Sequence, residues 1–397
     1  MSAKPSGHRV VQALVRCALW LALAISSYWA LRLAWADHLS DGAELAGRER
    51  AVQLAPAFAI FSERLAERRD ELGGDGLPDW RRAAALDPEN PERRMRLGVR
   101  AELAGDYLLA EQSLLAAAAR SRLYQPRYLL AQYYFRRQDA GRFWPWARAA
   151  LEAAWGNAAP VFELGWRMRP DAAWLSVNLI PTRREMVRQY LAYLTSRERW
   201  DASAAEARKL LPAAAGADLT YLIAYGEARL SRGDAVEASE IWNALCRRRL
   251  LAFEPLDPAG DRLVTNGDFR QAPSGRGFDW RLIEQTGVSA AAERGELRVV
   301  FTGRQAERCP VAWQYVPTSP GTRYRLQWEA RTGLGGPPSG IAWVISDAEL
   351  RAESAHSREF LAAKNLTRIC LSYQRPLGSA RLEDTVWIGH VRLERVQ

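Results

Sequence analysis

Residues 96–117 read RLGVRAELAGDYLLAEQSLLAA, and this stretch decides the fold of roughly half of the chain. Two runs of helix-forming residues flank the pair Gly105 and Asp106, a typical place for one helix to end and the next to begin. Small residues let two antiparallel helices approach each other, and large residues fill the space between them. The small and large residues in question are Leu97, Gly98, Ala110, Leu114 and Ala117. The stretch therefore predicts a helical hairpin.

The pattern recurs along the chain at about 34 residues, the length of a tetratricopeptide repeat. Upstream, Ala83 and Pro88 fall where the preceding repeat would end. A clear copy lies at 221–245, where Tyr225-Gly226, Gly233-Asp234, Ala238 and Trp242 take the same positions, and weaker copies lie at 127–154 and 186–211. Residues 43–250 thus resemble a tetratricopeptide-type α-solenoid of about four or five helix pairs, although 161–181 breaks the period. The resemblance implies a surface that binds a protein partner.

The N-terminal segment is apolar and marginal in length. From Cys17 to Leu31 the chain carries no charge, and Arg16 and Arg32 bracket this stretch. As a helix it spans about 22 Å, short of the roughly 30 Å hydrocarbon core of a bilayer. A helix over Val10–Ala36 restores the length, provided that the arginines reach toward the headgroups and the Trp and Tyr side chains occupy the interfaces.

Two interpretations of this segment stay open. In the first, residues 1–36 form a signal anchor or transmembrane helix that contacts the membrane through residues 10–36. In the second, they are a signal peptide cleaved after Ala34-Trp35-Ala36, although Arg32 disfavours processing there. In both, the basic N-terminus stays inside. We favour the anchor and predict a single-pass protein of the inner membrane, with its N-terminus in the cytoplasm and the bulk of the chain in the periplasm.

The C-terminal part changes to an alternating pattern, which is typical of strands with one buried face. Residues 251–262 are a predicted linker, and residues 263–397 contain several short apolar runs separated by Gly- and Pro-rich turns. One face of the clearest run is apolar, with Tyr324, Leu326, Trp328 and Ala330. We predict an antiparallel β-sandwich. The whole chain is therefore a multidomain α plus β protein.

The start of this region, residues 263–280, resembles carbohydrate-binding modules of the galactose-binding jelly-roll type. Asn266, Gly267, Phe269 and Trp280 carry the likeness, since an Asn-Gly-x-Phe turn in such modules precedes a Trp that closes the core. The resemblance implies glycan binding. Arg270 stands where calcium-binding members often have an acidic residue, so we predict no structural calcium.

Sugar rings stack on exposed aromatic faces, and a few polar groups hold their hydroxyls. Trp313 and Tyr315 share one face of a predicted strand and are candidates for such a platform. Tyr373 and Arg375 are further candidates. Trp343 and Trp328 are instead predicted to be core residues, because each is in phase with apolar neighbours on its strand.

The cysteines predict no zinc site, because they form no Cys-x-x-Cys pair and have no histidine at ligand spacing. Cys309 and Cys370 lie on predicted strands and could form a disulfide, or they could be two buried free thiols. Both interpretations stay open. We predict no metal and no cofactor.

Composition and charge exclude some classes of function. The net charge is +9, but the lysines are only Lys4, Lys209 and Lys364, and the arginines are interleaved with acids. A nucleic-acid site needs clustered positive charge, so none is predicted. The chain has four histidines, and neither His356 nor His390 lies near a nucleophile motif. We therefore expect no enzymatic activity.

Together, the segments resemble bacterial envelope proteins that accompany exopolysaccharide assembly and export. The leading hypothesis is a membrane-anchored scaffold or adaptor whose repeats bind a protein and whose β-domain binds polysaccharide. A purely structural scaffold without a ligand in the β-domain is the first alternative. A carbohydrate-active enzyme is the second, and it would need two carboxylates in a shaped cleft.

Overall fold

The computed structural model describes residues 7–258, 260, 262–333, 338–346, 348–353 and 356–396. Within these residues the chain forms fourteen α-helices and ten β-strands. Two compact units divide the chain, Met1–Pro181 and Thr182–Gln397. The predicted linker at 251–262 lies where the chain changes from helices to strands. The division into compact units instead falls at 181–182, so the last two helix pairs belong to the same unit as the strands.

The first unit is entirely helical in its described part. Short connections join its helices, and α1 packs on α2, α3 on α4, α5 on α6, and α7 on α8. The helices are α1 (Gly7–Asp41), α2 (Leu45–Leu54), α3 (Ala59–Glu71), α4 (Leu77–Leu86), α5 (Pro91–Leu103), α6 (Tyr107–Arg120), α7 (Tyr124–Arg136), α8 (Ala140–Ala153), α9 (Ala159–Met168) and α10 (Ala172–Asn178). This is the predicted tetratricopeptide-like arrangement.

Close packing inside the pairs has the predicted cause. A Cβ atom added to Gly98 on α5 would lie 2.7 Å from the Leu114 side chain on α6, so only glycine allows this approach. A Cβ atom added to Gly165 on α9 would lie 2.5 Å from the side chain of Leu179, the residue that follows α10. The segment at 161–181, which breaks the period in sequence, therefore still packs as a helix pair.

The turns between paired helices share one backbone conformation. Gly105 and Gly233 have φ values of 82° and 79°, in the left-handed region that glycine enters freely. Gln138 and Glu198 occupy the corresponding turns of the weaker copies, both with φ of 55°. Side-chain carboxylates then cap the next helix at three of these turns, through Asp106, Asp139 and Asp234. Degenerate repeats thus keep the turn geometry without the glycine.

The second unit begins with two further helix pairs. These are α11 (Arg184–Ser196), α12 (Trp200–Leu210), α13 (Gly216–Ser231) and α14 (Ala235–Arg247). Their core includes Tyr225, Trp242 and Leu245, and it also contains Phe278 and Leu366 from the C-terminal region. The helices therefore share a core with the strands that follow.

The strands form two antiparallel sheets. One has the order β1-β4-β9-β6 and the other β2-β3-β10-β5-β8-β7. The strands are β1 (Arg281–Leu282), β2 (Val288–Glu293), β3 (Glu296–Thr302), β4 (Arg308–Pro317), β5 (Arg323–Thr332), β6 (Ile341–Ile345), β7 (Ala348–Glu353), β8 (Ser357–Ala362), β9 (Leu366–Gln374) and β10 (Glu383–Arg395). Residues from both sheets make one core, as in a sandwich.

The predicted opening turn and core tryptophans are confirmed. The Phe269 N–H donates to the Asn266 carbonyl at 3.1 Å, and the Trp280 indole donates to the same carbonyl at 3.1 Å. Phe269 and Trp280 then pack with ring centroids 5.2 Å apart. Trp343 and Trp328 are buried in the same core.

Candidate interaction surfaces

The N-terminal helix α1 has an exposed apolar part and a packed part. By its length and composition, Val11–Asp41 could cross a bilayer. It is the one helix among the described residues that meets these two criteria. The same helix continues without a break to Asp41, where Ala36 and Ser40 are fully buried. We call the packed contact of α1 with α2 and α3 the N-terminal cluster; its buried apolar residues are Ala36, Ala51, Val52, Ala55, Phe61 and Leu65.

Arg32 joins the exposed part of α1 to this cluster. Its Nε donates to the Leu54 carbonyl at 2.6 Å, and an Nη atom donates to the Tyr28 hydroxyl at 3.2 Å. Its guanidinium also lies 5.1 Å from the Trp29 ring centroid. The cation is therefore held by local partners, which lowers the cost of placing it near a membrane.

An aromatic stripe lies on the surface of α7. Tyr124, Tyr128, Gln132 and Phe135 are spaced by four, four and three residues, so they share one helix face, and all four are partly exposed. The first two rings stack with centroids 5.1 Å apart. The guanidinium of Arg167 from α9 lies 4.9 Å from the Phe135 ring. The core face of α7 is different, because there Leu130, Ala131, Tyr133 and Tyr134 are buried.

Burial raises the pKa of Tyr124 and Tyr134 on α7. Burial, with a smaller contribution from Tyr128, raises the pKa of Tyr124. Burial and a hydrogen bond to Glu111 raise the pKa of Tyr134 to about 12. These hydroxyls are therefore hydrogen-bond donors at neutral pH. Tyrosine, phenylalanine and arginine are enriched at protein interfaces, so the aromatic stripe of α7 is the candidate binding surface of the first unit.

Ion pairs connect the first helices of successive pairs. They join Arg93 to Glu63, Arg96 to Glu67, Arg100 to Asp70 and Arg136 to Glu102. Most of these side chains are partly exposed, so each such pair contributes at most about 1 kcal/mol. Their main consequence is that arginines on these helices are neutralised in place, which agrees with the interleaved charges of the sequence.

The two aromatic residues predicted as a glycan platform have neighbouring rings. Trp313 and Tyr315 lie on one face of β4, with centroids 5.1 Å apart in an edge-to-face arrangement. Arg281 lies 4.6 Å from the Trp313 ring and 5.6 Å from the Tyr315 ring, and Arg368 lies 5.6 Å from the Trp313 ring. Tyr315 also packs against the core of α13 and α14. Arginines and helices therefore occupy the ring faces that a sugar would need.

Arg281 also ties the sandwich to α13. It pairs with Glu227 through two contacts, at 2.8 and 3.1 Å, and donates to the carbonyls of Gly277 and Asp279 at 3.0 and 3.2 Å. The Gly277 N–H donates to Glu227 as well. The cluster around Trp313 thus has a structural role that local sequence patterns do not reveal, because Glu227 and Arg281 lie 54 residues apart in the chain.

The other two glycan candidates lie elsewhere. The Tyr373 side chain is only 1% exposed, and its hydroxyl accepts a hydrogen bond from the Leu382 N–H at 3.0 Å. Arg375 is partly exposed and pairs with Glu307 at 2.8 Å. It borders an open surface groove of about 830 Å³ beside the edge strand β6.

Cys309 and Cys370 are free thiols and are not brought together. They lie on neighbouring strands, but Cys309 is opposite Tyr373 and Cys370 is opposite Trp313 in the β4–β9 register. Several residues of the ladder therefore separate them. Burial raises the pKa of both thiols, so they are poorly reactive. Of the two interpretations left open by the sequence, the structure has two buried free thiols.

Buried acids in the second unit serve the fold. Burial raises the pKa of Asp279, which accepts hydrogen bonds from the Ser274 N–H and the Asn266 amide and so fixes the opening loop of the sandwich. Among the described residues, no three or more His, Cys, Asp or Glu side chains are grouped to hold a metal ion.

Comparison with known proteins gives matches to structures alone. No protein-family model matches the chain, and no curated protein sequence matches it. YrrB, a TPR protein with an unusual peptide-binding site, is 14% identical over 52% of this chain and 94% of its own, with a TM-score of 0.27. The TPR domain of P58(IPK) is 17% identical over 58% of this chain and 74% of its own, with a TM-score of 0.20. The APC/C hetero-tetramer Cut9-Hcn1 is 15% identical over 52% of this chain and 37% of its own, with a TM-score of 0.26.

Proposed function

We propose that this protein is a membrane-anchored, non-enzymatic scaffold of the cell envelope whose helical repeats bind a partner protein. The observation that carries the proposal is the aromatic stripe of α7, a run of partly exposed rings on the surface of stacked helix pairs. Rings of this kind supply large contact areas at little cost in side-chain entropy. Arg167, whose guanidinium lies beside the stripe, favours a segment of partner protein that carries acidic residues.

The packing of α1 supports an anchor that is retained. Cleavage after Ala36 would remove Leu33 and Ala36 from the N-terminal cluster, together with the bond from Arg32 to Leu54. The first unit would then begin with an exposed apolar surface, which costs stability. We therefore propose a single-pass topology with the basic N-terminus in the cytoplasm and both compact units in the periplasm.

Site-directed photo-crosslinking in the native host tests the partner-binding surface. A photoreactive residue at Tyr128 is expected to give a specific adduct, whereas the same residue at Tyr107, an exposed tyrosine at the start of α6, should give none. The substitution Phe135→Ala should abolish the Tyr128 adduct without unfolding the unit. Equal adducts from both positions, or none from Tyr128, would contradict the proposal.

The mass of the mature protein tests the anchor. A retained anchor predicts the mass of the full chain in the membrane fraction, resistant to extraction at high pH. A chain that begins at Asp37 would mean cleavage and would remove the anchor from the proposal.

Glycan binding and a role in exopolysaccharide assembly are proposals that rest on the jelly-roll resemblance. The groove beside Arg375 is the place we propose for a glycan, since the rings of Trp313 and Tyr315 are occupied. Calorimetry of the purified protein with envelope polysaccharides should detect binding that Arg375→Ala weakens and Arg270→Ala, at a more exposed arginine, leaves unchanged. The absence of any binding would leave a sandwich with a purely structural role.

A further inference from the structure

The segment between α2 and α3 is an exposed loop without a polar side chain. Residues 54–61 read LAPAFAIF. Pro56, Ala57, Phe58 and Ile60 are exposed, Phe58 by 44% and Ile60 by 37%, although Ala55 and Phe61 at either side are buried in the N-terminal cluster. Single exposed apolar residues are common, but loops in water carry mainly polar and turn-forming side chains. We call residues 54–60 the apolar loop; they comprise the last residue of α2, the connection at 55–58 and the first two residues of α3.

The apolar loop lies beside α1 at the end of the uncharged stretch. The Leu54 carbonyl accepts the bond from Arg32, which is the first charged residue after Cys17–Leu31. Leu54 also packs on the N-terminal cluster with Leu33. When α1 crosses a bilayer, Arg32 must lie close to the outer edge of the hydrocarbon core, so the loop lies at the same depth.

The surroundings of the loop match a membrane interface. Trp29 and Trp35 are exposed on the neighbouring turns of α1, and aromatic rings favour the headgroup level. Arg82 donates to the Pro56 carbonyl at 3.3 Å and so holds a guanidinium next to the apolar side chains. A cation beside apolar side chains suits anionic headgroups above acyl chains.

We propose that the apolar loop inserts into the outer interface of the same bilayer that α1 crosses. Phe58 and Ile60 would lie among the upper acyl chains, and Arg82 would lie among the headgroups. This inference rests on the proposed anchor. It adds a second membrane contact, which fixes the tilt and rotation of the first unit on the membrane, where α1 alone would leave both free.

Spin labelling of the full-length protein in lipid nanodiscs tests the inference. Starting from Cys17→Ala, single labels are placed through Phe58→Cys, Leu103→Cys and Leu23→Cys. The Cys17→Ala protein treated with the same spin-label reagent measures the background from the buried thiols. Leu103 is a matched control because it is a 72% exposed apolar residue at another helix end of the same unit. Collision with oxygen reports contact with acyl chains, and collision with a water-soluble nickel complex reports contact with water.

The expected result is a label at Phe58 that collides with oxygen more, and with the nickel complex several-fold less, than the label at Leu103. Water contact at Phe58 equal to that at Leu103, with Leu23 protected, would overturn the inference and leave the anchor intact. Water contact at Leu23 would overturn both. Protection of Phe58 together with dipolar broadening between labels would identify a second copy of this chain as the occupant and overturn the membrane contact.

Discussion

Replacing Arg281 by Met should weaken the attachment of α13 to the sandwich. The guanidinium makes four hydrogen bonds, two to Glu227 and two to the carbonyls of Gly277 and Asp279, and its side chain is 14% exposed. Methionine keeps most of the apolar volume but satisfies none of these acceptors. Loss of a charged partner for half-buried acceptors costs roughly 3 kcal/mol in total.

The double-mutant cycle with Glu227→Gln separates the ion pair from the other contacts. The Glu227 side chain is 35% exposed, so solvent screens the pair, and we expect a coupling energy of roughly 1–2 kcal/mol. The assay is urea denaturation of the full chain, followed by tryptophan fluorescence, which Trp242 and Trp313 near this contact make sensitive. Coupling below the experimental error, or an Arg281→Met variant as stable as the parent, would refute the reasoning.

Three further predictions concern the helix pairs. Gly98→Ala should lower the free energy of unfolding by about 1–3 kcal/mol, because the new methyl group would overlap the Leu114 side chain. Adding Leu114→Ala should restore part of this loss, and the urea midpoints of the single and double variants will measure both effects. Gln138→Gly should raise the free energy of unfolding by roughly 0.5–1 kcal/mol because the backbone at this position is left-handed. Gln132→Gly in the middle of α7 should instead lower it by about 1 kcal/mol, and the same sign for both variants would contradict this reasoning. Burial opposes ionisation of Asp218, but Arg184, the Ala215 N–H and Arg188 outweigh it and hold its pKa below the ordinary value. Its contribution to stability is therefore present at neutral pH and is lost as the pH falls through the lowered pKa, so the difference in unfolding free energy between the parent and Asp218→Asn should shrink on acidification, as urea midpoints measured over a pH series will show.

Local patterns in the sequence predicted most of the elements. The helix pairs and their Gly-Asp turns follow from residue size and periodicity, and even the degenerate copy at 127–154 folds as α7 and α8. Strand phase correctly assigned Trp343 to the core and placed Trp313 and Tyr315 on one face. Strand phase does not reveal β2, because its sequence, VSAAAE, has alanines where an alternating pattern needs large apolar residues.

The sequence by itself determined the segments of this protein, because helix, strand and membrane propensities are local properties of residue order. Only the tertiary structure decided what covers the outer face of β4, which strand position lies opposite Cys309, and which loop lies beside Arg32. Each of these depends on contacts between residues far apart in the chain, such as Glu227 with Arg281. Periodicity shows which side of an element is apolar, but not which element packs against it.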